Sequence, residues 1–201
     1  MPDILTRSRR TEFRAVAGAP AADGGEPAPI IEGYFVVFDQ PYYVDDWCEE
    51  YVDRHAFDGA DISDVRALID HDSRLVLARR NETVHTLDFE IDDTGIFATV
   101  QINPDDKDAM SLRARVLRGD VDQASFGFEE NSVEFADLPG GRVRRTILGV
   151  SKLWELSVCT FPAYEQTSVA ARGRAEESLR RSLLELKKTK LKRRFYHHGK
   201  A

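Results

Sequence analysis

The sequence predicts an α+β protein in which a mostly antiparallel β-sheet is closed or nearly closed into a barrel and carries a few flanking helices. Two observations lead to this prediction. From Ile30 onwards, short runs of β-branched and aromatic residues alternate with Gly, Pro, Asp and Asn, which is the pattern of strands joined by turns. One later segment, 105–119, instead repeats its apolar residues at helical spacing.

Length and composition indicate one folded domain with tails. The chain has 201 residues, of which 42% are hydrophobic and 31% are charged. That is enough for one core but cramped for two full domains. Residues 15–29, AVAGAPAADGGEPAP, are rich in Ala, Gly and Pro and cannot bury a core. We therefore predict a flexible arm over 1–29, a folded domain over 30–172 and a tail over 173–201.

The first strands of the predicted sheet follow the arm. Their runs are IIEGYFVVF (30–38), VRALIDH (65–71), RLVLARR (74–80), HTLDFEIDD (85–93) and GIFATVQI (95–102). In the fourth run Leu87, Phe89 and Ile91 alternate with acidic residues, which predicts a strand with one face in solvent. Residues 92–95, DDTG, are suited to a hairpin turn into the fifth run.

A helix and two further strand regions complete the folded domain. Ala109, Leu112 and Val116 recur at helical spacing, acidic residues occupy the first turn, and Gly119 can cap the C-terminal end of the helix. The strand pattern then returns in two regions: 122–141, which contains a Pro-Gly-Gly turn, and 142–161.

The tail is basic, whereas the rest of the chain is acidic. Residues 172–201 contain eleven Lys and Arg against three Glu, a charge of +8, and the remainder carries −15. Within the tail, 176–194 has leucines along one side and basic residues elsewhere, as an amphipathic helix does. Such a split in charge indicates either an interaction segment or a solvated helix.

Composition also indicates the cellular location of the protein. No run of about eighteen apolar residues is present to span a bilayer, and residues 1–14 are charged throughout, unlike an export signal. We therefore expect a cytosolic protein. Cys48 and Cys159 have neither the paired spacing of a zinc site nor the density of a secreted disulfide scaffold, so we expect both to be reduced.

His71 lies between two aspartates at the end of an apolar run, in ALIDHDS. Imidazole is the side chain best suited to proton transfer near neutral pH, so His71 is a candidate general base. A surface histidine at a strand end is the alternative interpretation. A metal site is a third, but the other histidines of the predicted domain, His55 and His85, show no metal-ligand spacing.

Ser125 lies in DQASFGF, between a polar run and a Phe-Gly-Phe triplet. A serine hydroxyl becomes a good nucleophile only when a base takes its proton, so Ser125 would need His71 within hydrogen-bond reach. Ala124 and Gly127 are small and leave room for a substrate carbonyl and for backbone N–H groups near an oxyanion. A strand with a bulge at Gly127 accounts for the isolated motif equally well.

Glu155 lies in KLWELSVCTFPAY. On a strand it shares one face with Leu153, Ser157 and Cys159. An acidic residue inside such an apolar strand is costly unless it is paired. Glu155 therefore either makes a structural ion pair or orients a histidine, which is the role of the acid in a serine triad.

Five motifs follow one another along the chain: GYFVVFD, RHAFDG, VRALIDHD with LVLAR, LRGDVDQASFGF, and LWELSVCTFPAYEQTSVAAR. Their order and approximate spacing over residues 30–172 resemble the prohead protease family of tailed bacteriophages, serine peptidases related in fold to the herpesvirus assemblins. The resemblance implies an assemblin-like fold for the predicted barrel.

The resemblance also implies roles for individual residues. The family's general base falls on His71, its nucleophile on Ser125, and its acidic third member on Glu155. The related assemblins use a second histidine as the third member, so His85 competes with Glu155 for that role. An arginine pair supports the oxyanion loop in assemblins, and the pair at 144–145 either does the same or forms a solvated strand edge.

The function implied by the resemblance is capsid maturation. Such an enzyme cleaves scaffold or the scaffolding segment of the major capsid protein, and itself, inside the assembling prohead in the host cytoplasm, and a prophage can carry its gene. It requires no metal, cofactor, nucleic acid or membrane, and its self-association stays open. The alternative is a non-catalytic capsid-assembly or scaffold-binding module with the same fold. For the enzyme, we expect the basic tail to tether it to acidic scaffold or capsid segments and to be trimmed by self-cleavage.

Overall fold

A computed structural model describes residues 4–18, 27–45 and 47–160. Within these residues the elements follow in the order β1 (Leu5–Arg10), β2 (Arg14–Ala17), β3 (Pro29–Val37), β4 (Tyr42–Asp45), β5 (Cys48–Val52), β6 (Val65–Ile69), β7 (Asp72–Arg80), β8 (Leu87–Ile91), β9 (Gly95–Gln101), α1 (Lys107–Arg118), β10 (Gln123–Asp137) and β11 (Val143–Cys159). The predicted tail 173–201, with its helix over 176–194, lies outside the described residues.

The strands form two sheets. The larger has seven strands, with β1, β10, β11, β5 and β4 side by side, and with β6 and β7 joined to it through β11. The smaller has four strands in the order β2, β3, β9 and β8. Within each sheet most neighbours are antiparallel, as the sequence predicts, but β11 is parallel to both β5 and β6.

The long strand β11 organises the larger sheet. One of its edges pairs with β10 along almost its whole length. Its other edge pairs first with β5, over Val143–Ile147, and then with β6, over Glu155–Val158. This second pairing brings the turn that follows β6 to the C-terminal end of β11.

The prediction of an α+β barrel with several helices is wrong. The described part of the chain is mostly β with one α-helix, and its sheets do not close into a barrel. The reason lies in the pairing of β11, because one of its edges serves two separate strands and the larger sheet therefore branches at that point. Strands β1, β4 and β7 are the end strands of the branched larger sheet, and β2 and β8 are those of the smaller one.

Four strands lie where the sequence pattern did not predict any. Two of them, β1 and β2, fall within residues 1–29, the segment predicted to form a flexible arm. The other two, β4 and β5, are short and contain acidic residues with low β-propensity. Arginines on β11 and just before it compensate for the acidic side chains of β5: Arg142 and Arg144 bind Glu49, and Arg145 binds Glu50.

The core lies between the two sheets, where β10 packs against β3. Phe126 and Phe128 of β10 are fully buried, and their rings stack 4.9 Å apart. Phe35 of β3 is also buried and packs against Phe13. Burial of each such ring contributes about 2–3 kcal/mol, so β10 is held in place by its inward-facing aromatic side chains.

Helix α1 matches the predicted helix and has the expected cap residue. Asp106 precedes the helix, and its carboxylate accepts hydrogen bonds from the backbone N–H groups of Asp108 and Ala109. Gly119 ends it with φ of 82°, a left-handed conformation that glycine adopts without strain. No helix among the described residues is long and apolar enough to cross a membrane.

A buried ion network joins β1 to the centre of the larger sheet. The Glu50 carboxylate is fully buried, and it accepts hydrogen bonds from Arg7 of β1 and from Arg145 of β11. Arg145 also binds Glu130 of β10. Burial opposes ionisation of Glu50, but the guanidinium groups of Arg7 and Arg145 outweigh it and lower the pKa of this carboxyl.

Replacing Arg145 with Met is expected to destabilise the protein by about 3–5 kcal/mol at neutral pH, because Glu50 then stays buried with one cation fewer. The lowered pKa of Glu50 means that the network stabilises the fold above pH 4.5, the ordinary value for this carboxyl. That stabilisation is lost as the pH falls through the lowered pKa. Urea unfolding measured at a series of pH values should therefore show that the difference in the free energy of unfolding between wild type and Arg145→Met becomes smaller below pH 4.5.

Arg144→Met is the matched control for this prediction. Arg144 is the neighbouring residue on the same strand, but its side chain is 44% exposed where it pairs with Glu49. Its loss should cost at most about 1 kcal/mol. Equal destabilisation by the two variants would contradict the assignment of a special role to the buried network.

Candidate active site

Ser125 lies within β10, between two neighbouring strands. Its backbone is opposite Ser157 of β11 on one side and opposite Ser8 of β1 on the other. The flanking residues Ala124 and Phe126 are buried in the core. Because side chains alternate along a strand, Ser125 lies on the face of the sheet away from that core, and it is nevertheless fully buried.

Glu155 lies on β11 directly opposite Gly127 of β10, on the same face as Ser125. Its side chain is about 10% exposed. One carboxylate oxygen, Oε2, accepts a hydrogen bond from the hydroxyl of Ser157, which is fully buried two residues further along β11. The donor from Ser157 fixes the orientation of the carboxylate and leaves Oε1 to face another partner.

Gly127 makes room for Glu155. A Cβ atom at position 127 would lie 2.5 Å from Oε1 of Glu155 and 3.0 Å from its Cγ, closer than van der Waals contact. The sequence suggested that this glycine leaves space for a substrate or an oxyanion. The structure fills that space with the Glu155 side chain instead.

His71 is placed by a tight turn between β6 and β7. Ile69 pairs with Asp72, so Asp70 and His71 alone form the turn. Both have positive φ, 49° and 60°, as the two central residues of a type I′ hairpin turn do. Non-glycine residues adopt this conformation at a cost, which is commonly met where function requires it.

Asp70 fastens this turn to the end of β11. Its backbone N–H donates to the carbonyl of Val158 at 3.1 Å, and its carboxylate accepts from the backbone N–H of Thr160 at 2.7 Å and from the Thr160 hydroxyl at 3.1 Å. These contacts hold His71 beside the part of β11 that carries Glu155. The sequence singled out His71 here and missed the positioning role of Asp70.

His71 and Glu155 are in direct contact. The Nδ1 atom of His71 lies 2.6 Å from Oε1 of Glu155. An ionised carboxylate only accepts hydrogen bonds, so Nδ1 carries the proton and Nε2 of the neutral ring is left as an acceptor. The Nε2 atom is buried and has no hydrogen-bond partner. This is the arrangement in which a histidine can accept a proton from a nucleophile.

The hydroxyl of Ser125 is directed elsewhere. It donates to the backbone carbonyl oxygen of Arg7 in β1 at 2.8 Å. Among the hydrogen bonds of the described residues, none joins Ser125 to His71. The structure therefore brings His71 and Glu155 together, and places Ser125 on the same face of the sheet with its hydroxyl occupied by β1.

The other residues considered from the sequence lie away from this cluster. His85 is exposed and forms an isolated bridge with Arg80, and the contact of His71 is with Glu155. Arg144 packs on the Tyr51 ring and binds Glu49. Arg145 is 3% exposed and belongs to the Glu50 network, so the arginine pair is not a wholly solvated edge.

The buried thiol near the site is held in its neutral form. Burial raises the pKa of Cys159, and the carboxylates of Asp70 and Glu155 raise it further. A neutral thiol is a weak nucleophile. Because the Ser157 hydroxyl donates to Glu155, Ser125 is left as the nucleophile candidate of this face. Within the described part of the chain, no three His, Cys, Asp or Glu side chains are grouped so that they could hold a metal ion.

Comparisons with known proteins agree with the motifs. The sequence matches the family model described as caudovirus prohead serine protease over residues 18–181. Over 80 residues it is 36% identical to the prohead protease of Enterobacteria phage HK97. Those residues are 40% of this chain and 34% of the HK97 protein, so the alignment spans about a third of that relative.

A solved structure is similar in fold. It is that of the capsid assembly protease of bacteriophage T4, with a TM-score of 0.52 and 12% sequence identity. The similarity covers 79% of this chain and 98% of the T4 chain. Together with the family model, it confirms the resemblance that the order of the motifs indicated.

Proposed function

The chain belongs to the caudovirus prohead serine protease family, and from this premise we propose that it is a serine endopeptidase with Ser125, His71 and Glu155 as its catalytic triad. The observation that carries the proposal is the state of His71. Its Nδ1 is held by a buried carboxylate, while its Nε2 is buried and unpartnered. A purely structural histidine would have little reason to leave that nitrogen without a partner.

The proposed mechanism is acyl transfer. The Oγ atom of Ser125 attacks the carbonyl carbon of the scissile peptide bond while Nε2 of His71 takes the hydroxyl proton. His71 then gives this proton to the leaving amine, and the peptide C–N bond breaks to leave an acyl-serine ester. Water hydrolyses the ester with His71 again acting as the base. Glu155 stabilises the imidazolium that forms in both steps and keeps Nδ1 protonated.

The proposed substrates are capsid proteins. The HK97 relative is named a prohead protease and the T4 neighbour a capsid assembly protease. We propose that this chain likewise acts in the assembling prohead inside the host cell, on scaffold or on the scaffolding segment of the major capsid protein, and that it also cleaves itself. Trimming of the tail 173–201 is part of this proposal.

Co-expression with the major capsid protein of the same phage tests the proposed function. Wild type should shorten the capsid protein, as seen by gel electrophoresis and intact mass, whereas Ser125→Ala should leave it whole. Ser132→Ala is the matched control, because Ser132 is exposed on the same strand. Equal processing by wild type and Ser125→Ala would rule out the proposed nucleophile.

One observation favours a non-catalytic module with the same fold. Ser125 is fully buried, and its hydroxyl bonds to Arg7 and not to His71. A protein that only binds scaffold would tolerate this arrangement permanently, whereas an enzyme must release it. The co-expression experiment separates the two, because a module would leave the capsid protein whole in wild type as well.

A further inference from the structure

Strand β1 covers the edge of β10 that contains Ser125. It pairs antiparallel with β10 from Leu5 opposite Phe128 to Arg10 opposite Gln123. It is also the last strand on this side of the sheet. Without β1, residues 123–128 would present unpaired backbone N–H and C=O groups, and such an edge accepts an extended peptide as an added strand.

Two contacts of Arg7 strengthen the attachment of β1 beyond its backbone pairing with β10. The carbonyl oxygen of Arg7 accepts the hydrogen bond from the Ser125 hydroxyl at 2.8 Å. The guanidinium of Arg7 binds the buried carboxylate of Glu50 through two nitrogens. The backbone of Arg7 thus meets the candidate nucleophile while its side chain pairs with the buried Glu50 carboxylate.

We propose that β1 occupies the substrate groove, and that an extended peptide with an arginine at the position of Arg7 takes its place beside Ser125, with Glu50 selecting that arginine. The assignment of Ser125 as the nucleophile in this inference rests on the proposed function. In the incoming peptide the carbonyl nearest the hydroxyl is that of the selected arginine, so cleavage follows this residue. The enzyme is inactive while β1 is bound.

Displacement of β1 changes the site in two ways. The Ser125 hydroxyl loses the carbonyl of Arg7 as its acceptor and becomes free to donate to Nε2 of His71, which is the nitrogen without a partner. The edge of β10 also becomes available for pairing. Both changes are required for catalysis, so one displacement controls both activity and access.

The charge of Glu50 gives the groove its selectivity. Glu50 is fully buried and has two cationic partners, Arg7 and Arg145. Arg145 stays in place because it belongs to β11, whereas Arg7 leaves with β1. A peptide that restores a guanidinium at this position satisfies the carboxylate, and a peptide with an uncharged residue leaves it short of a partner.

The rate of labelling of Ser125 by a fluorophosphonate probe in the full-length protein tests the inhibitory role of β1. Arg7→Ala removes the anchor and should raise the rate about tenfold or more. Arg10→Ala is the matched control, since Arg10 lies on the same strand but forms an exposed pair with Asp122, and its rate should stay within about twofold of wild type. Equal rates in the two variants would overturn the proposal.

A disulfide between β1 and β10 tests the same role without altering Arg7. Positions 10 and 123 are directly opposite on the two strands, a spacing that a disulfide can bridge. The oxidised Arg10→Cys/Gln123→Cys protein should not be labelled, and reduction should restore labelling. Gln123→Cys alone is the control, because Cys159 is opposite position 123 on β11. Equal labelling of the oxidised and reduced double variant would overturn the proposal.

Peptide binding tests the selectivity independently of catalysis. The protein is full-length Arg7→Ala/Ser125→Ala, and the probe is a fluorescent peptide with the sequence of residues 4–11, ILTRSRRT. It should bind about tenfold more tightly than the same peptide with Ala in place of Arg7. A peptide with Ala in place of Arg10 should bind like the parent. Equal binding of the parent and the peptide lacking Arg7 would overturn the proposed selection by Glu50.

The two kinds of readout separate this inference from the proposed function. If Ser125 is not the nucleophile, no variant is labelled at Ser125. Hydrogen exchange still shows faster exchange in Arg7→Ala at those amides of residues 123–128 that face β1, and the peptides still bind with the expected preference. If β1 is not in the substrate groove, Ser125 is labelled equally fast in Arg7→Ala, where β1 is released, and in the oxidised Arg10→Cys/Gln123→Cys protein, where a disulfide holds it. In that case the proposed function stands and the inference fails.

Discussion

Changing Glu155 to Gln is expected to lower kcat by about 10⁴-fold while leaving the fold intact. The carboxylate holds the proton of His71 on Nδ1, at 2.6 Å from Oε1, and accepts a second hydrogen bond from Ser157. In the variant, the amide carbonyl takes the bond from Ser157 and the amide NH₂ faces His71. Because Nδ1 must then accept, the proton moves to Nε2, which can no longer take a proton from Ser125.

The tautomer of His71 gives this prediction a readout besides activity. Nitrogen NMR of the imidazole should find the proton on Nδ1 in wild type and on Nε2 in Glu155→Gln. Glu129→Gln is the matched control, because Glu129 is a partly buried glutamate on β10 that accepts from the Trp154 indole, and an amide oxygen can do the same. A Glu155→Gln enzyme with normal kcat would remove Glu155 from the triad.

A milder variant separates the charge of Glu155 from its orientation. Ser157→Ala removes the donor to Oε2 but keeps the carboxylate, so we expect kcat to fall by about tenfold. The proton should stay on Nδ1 of His71 in this variant. A loss as large as that of Glu155→Gln would mean that the orientation of the carboxylate matters as much as its charge.

The candidate site was partly predictable because its members lie in short motifs with local signals. His71 follows an apolar run, and alternation along a strand places Glu155 and Ser157 on one face. The same alternation could have identified Ser157 as a partner of Glu155. It could not show that Asp70 fastens the turn to Thr160, because that contact joins residues 90 positions apart.

The position of β1 over Ser125 could not be predicted either, because it too depends on a contact between residues far apart in the sequence. The hydrogen bond from its hydroxyl to Arg7 spans 118 positions, and nothing near β1 marks it as a partner of β10. Residues 1–29, which include β1, contain few large apolar side chains and are rich in Ala, Gly and Pro towards their end. Local composition therefore favoured an arm, whereas backbone pairing with β10 and the ion pair with Glu50 decide the structure.

The positions of most strands could be predicted from sequence patterns, but the way the strands assemble into sheets could not. Alternating apolar residues predicted strands that correspond to β3 and to β6 through β11. Whether such strands close into a barrel depends on which edges meet, and single-strand patterns do not encode this. The acidic pair in β5 concealed a strand, because Glu49 and Glu50 are compatible with a sheet only when arginines from β11 lie beside them.

Changing Gly127 to Ala is expected to lower kcat by about 10²-fold or more, although residue 127 takes no part in the proton transfer. The backbone at Gly127 does not have positive φ, so alanine is acceptable there in conformation. The obstacle is the contact, since the new Cβ would lie 2.5 Å from Oε1 of Glu155. Glu155 is pinned between His71 and Ser157, and it can move only by losing one of these bonds.

Gly149→Ala is the matched control for this variant. A Cβ there meets mainly the end of the exposed Asn131 side chain, which can rotate away, so activity should stay within about twofold of wild type. The tautomer of His71 provides the second readout, because displacement of Glu155 releases Nδ1. Normal kcat in Gly127→Ala would show that Glu155 relaxes without leaving His71.

The combination of Gly127→Ala with Glu155→Ala shows whether Gly127 acts through Glu155. In the Glu155→Ala background there is no carboxylate for the new methyl group to displace, so adding Gly127→Ala should lower kcat no further than about twofold. Losses that multiply would mean that Gly127 serves the substrate directly, which is the role first suggested by its sequence position. Non-additive losses would mean that Gly127 acts by leaving space for Glu155 to stay in contact with His71.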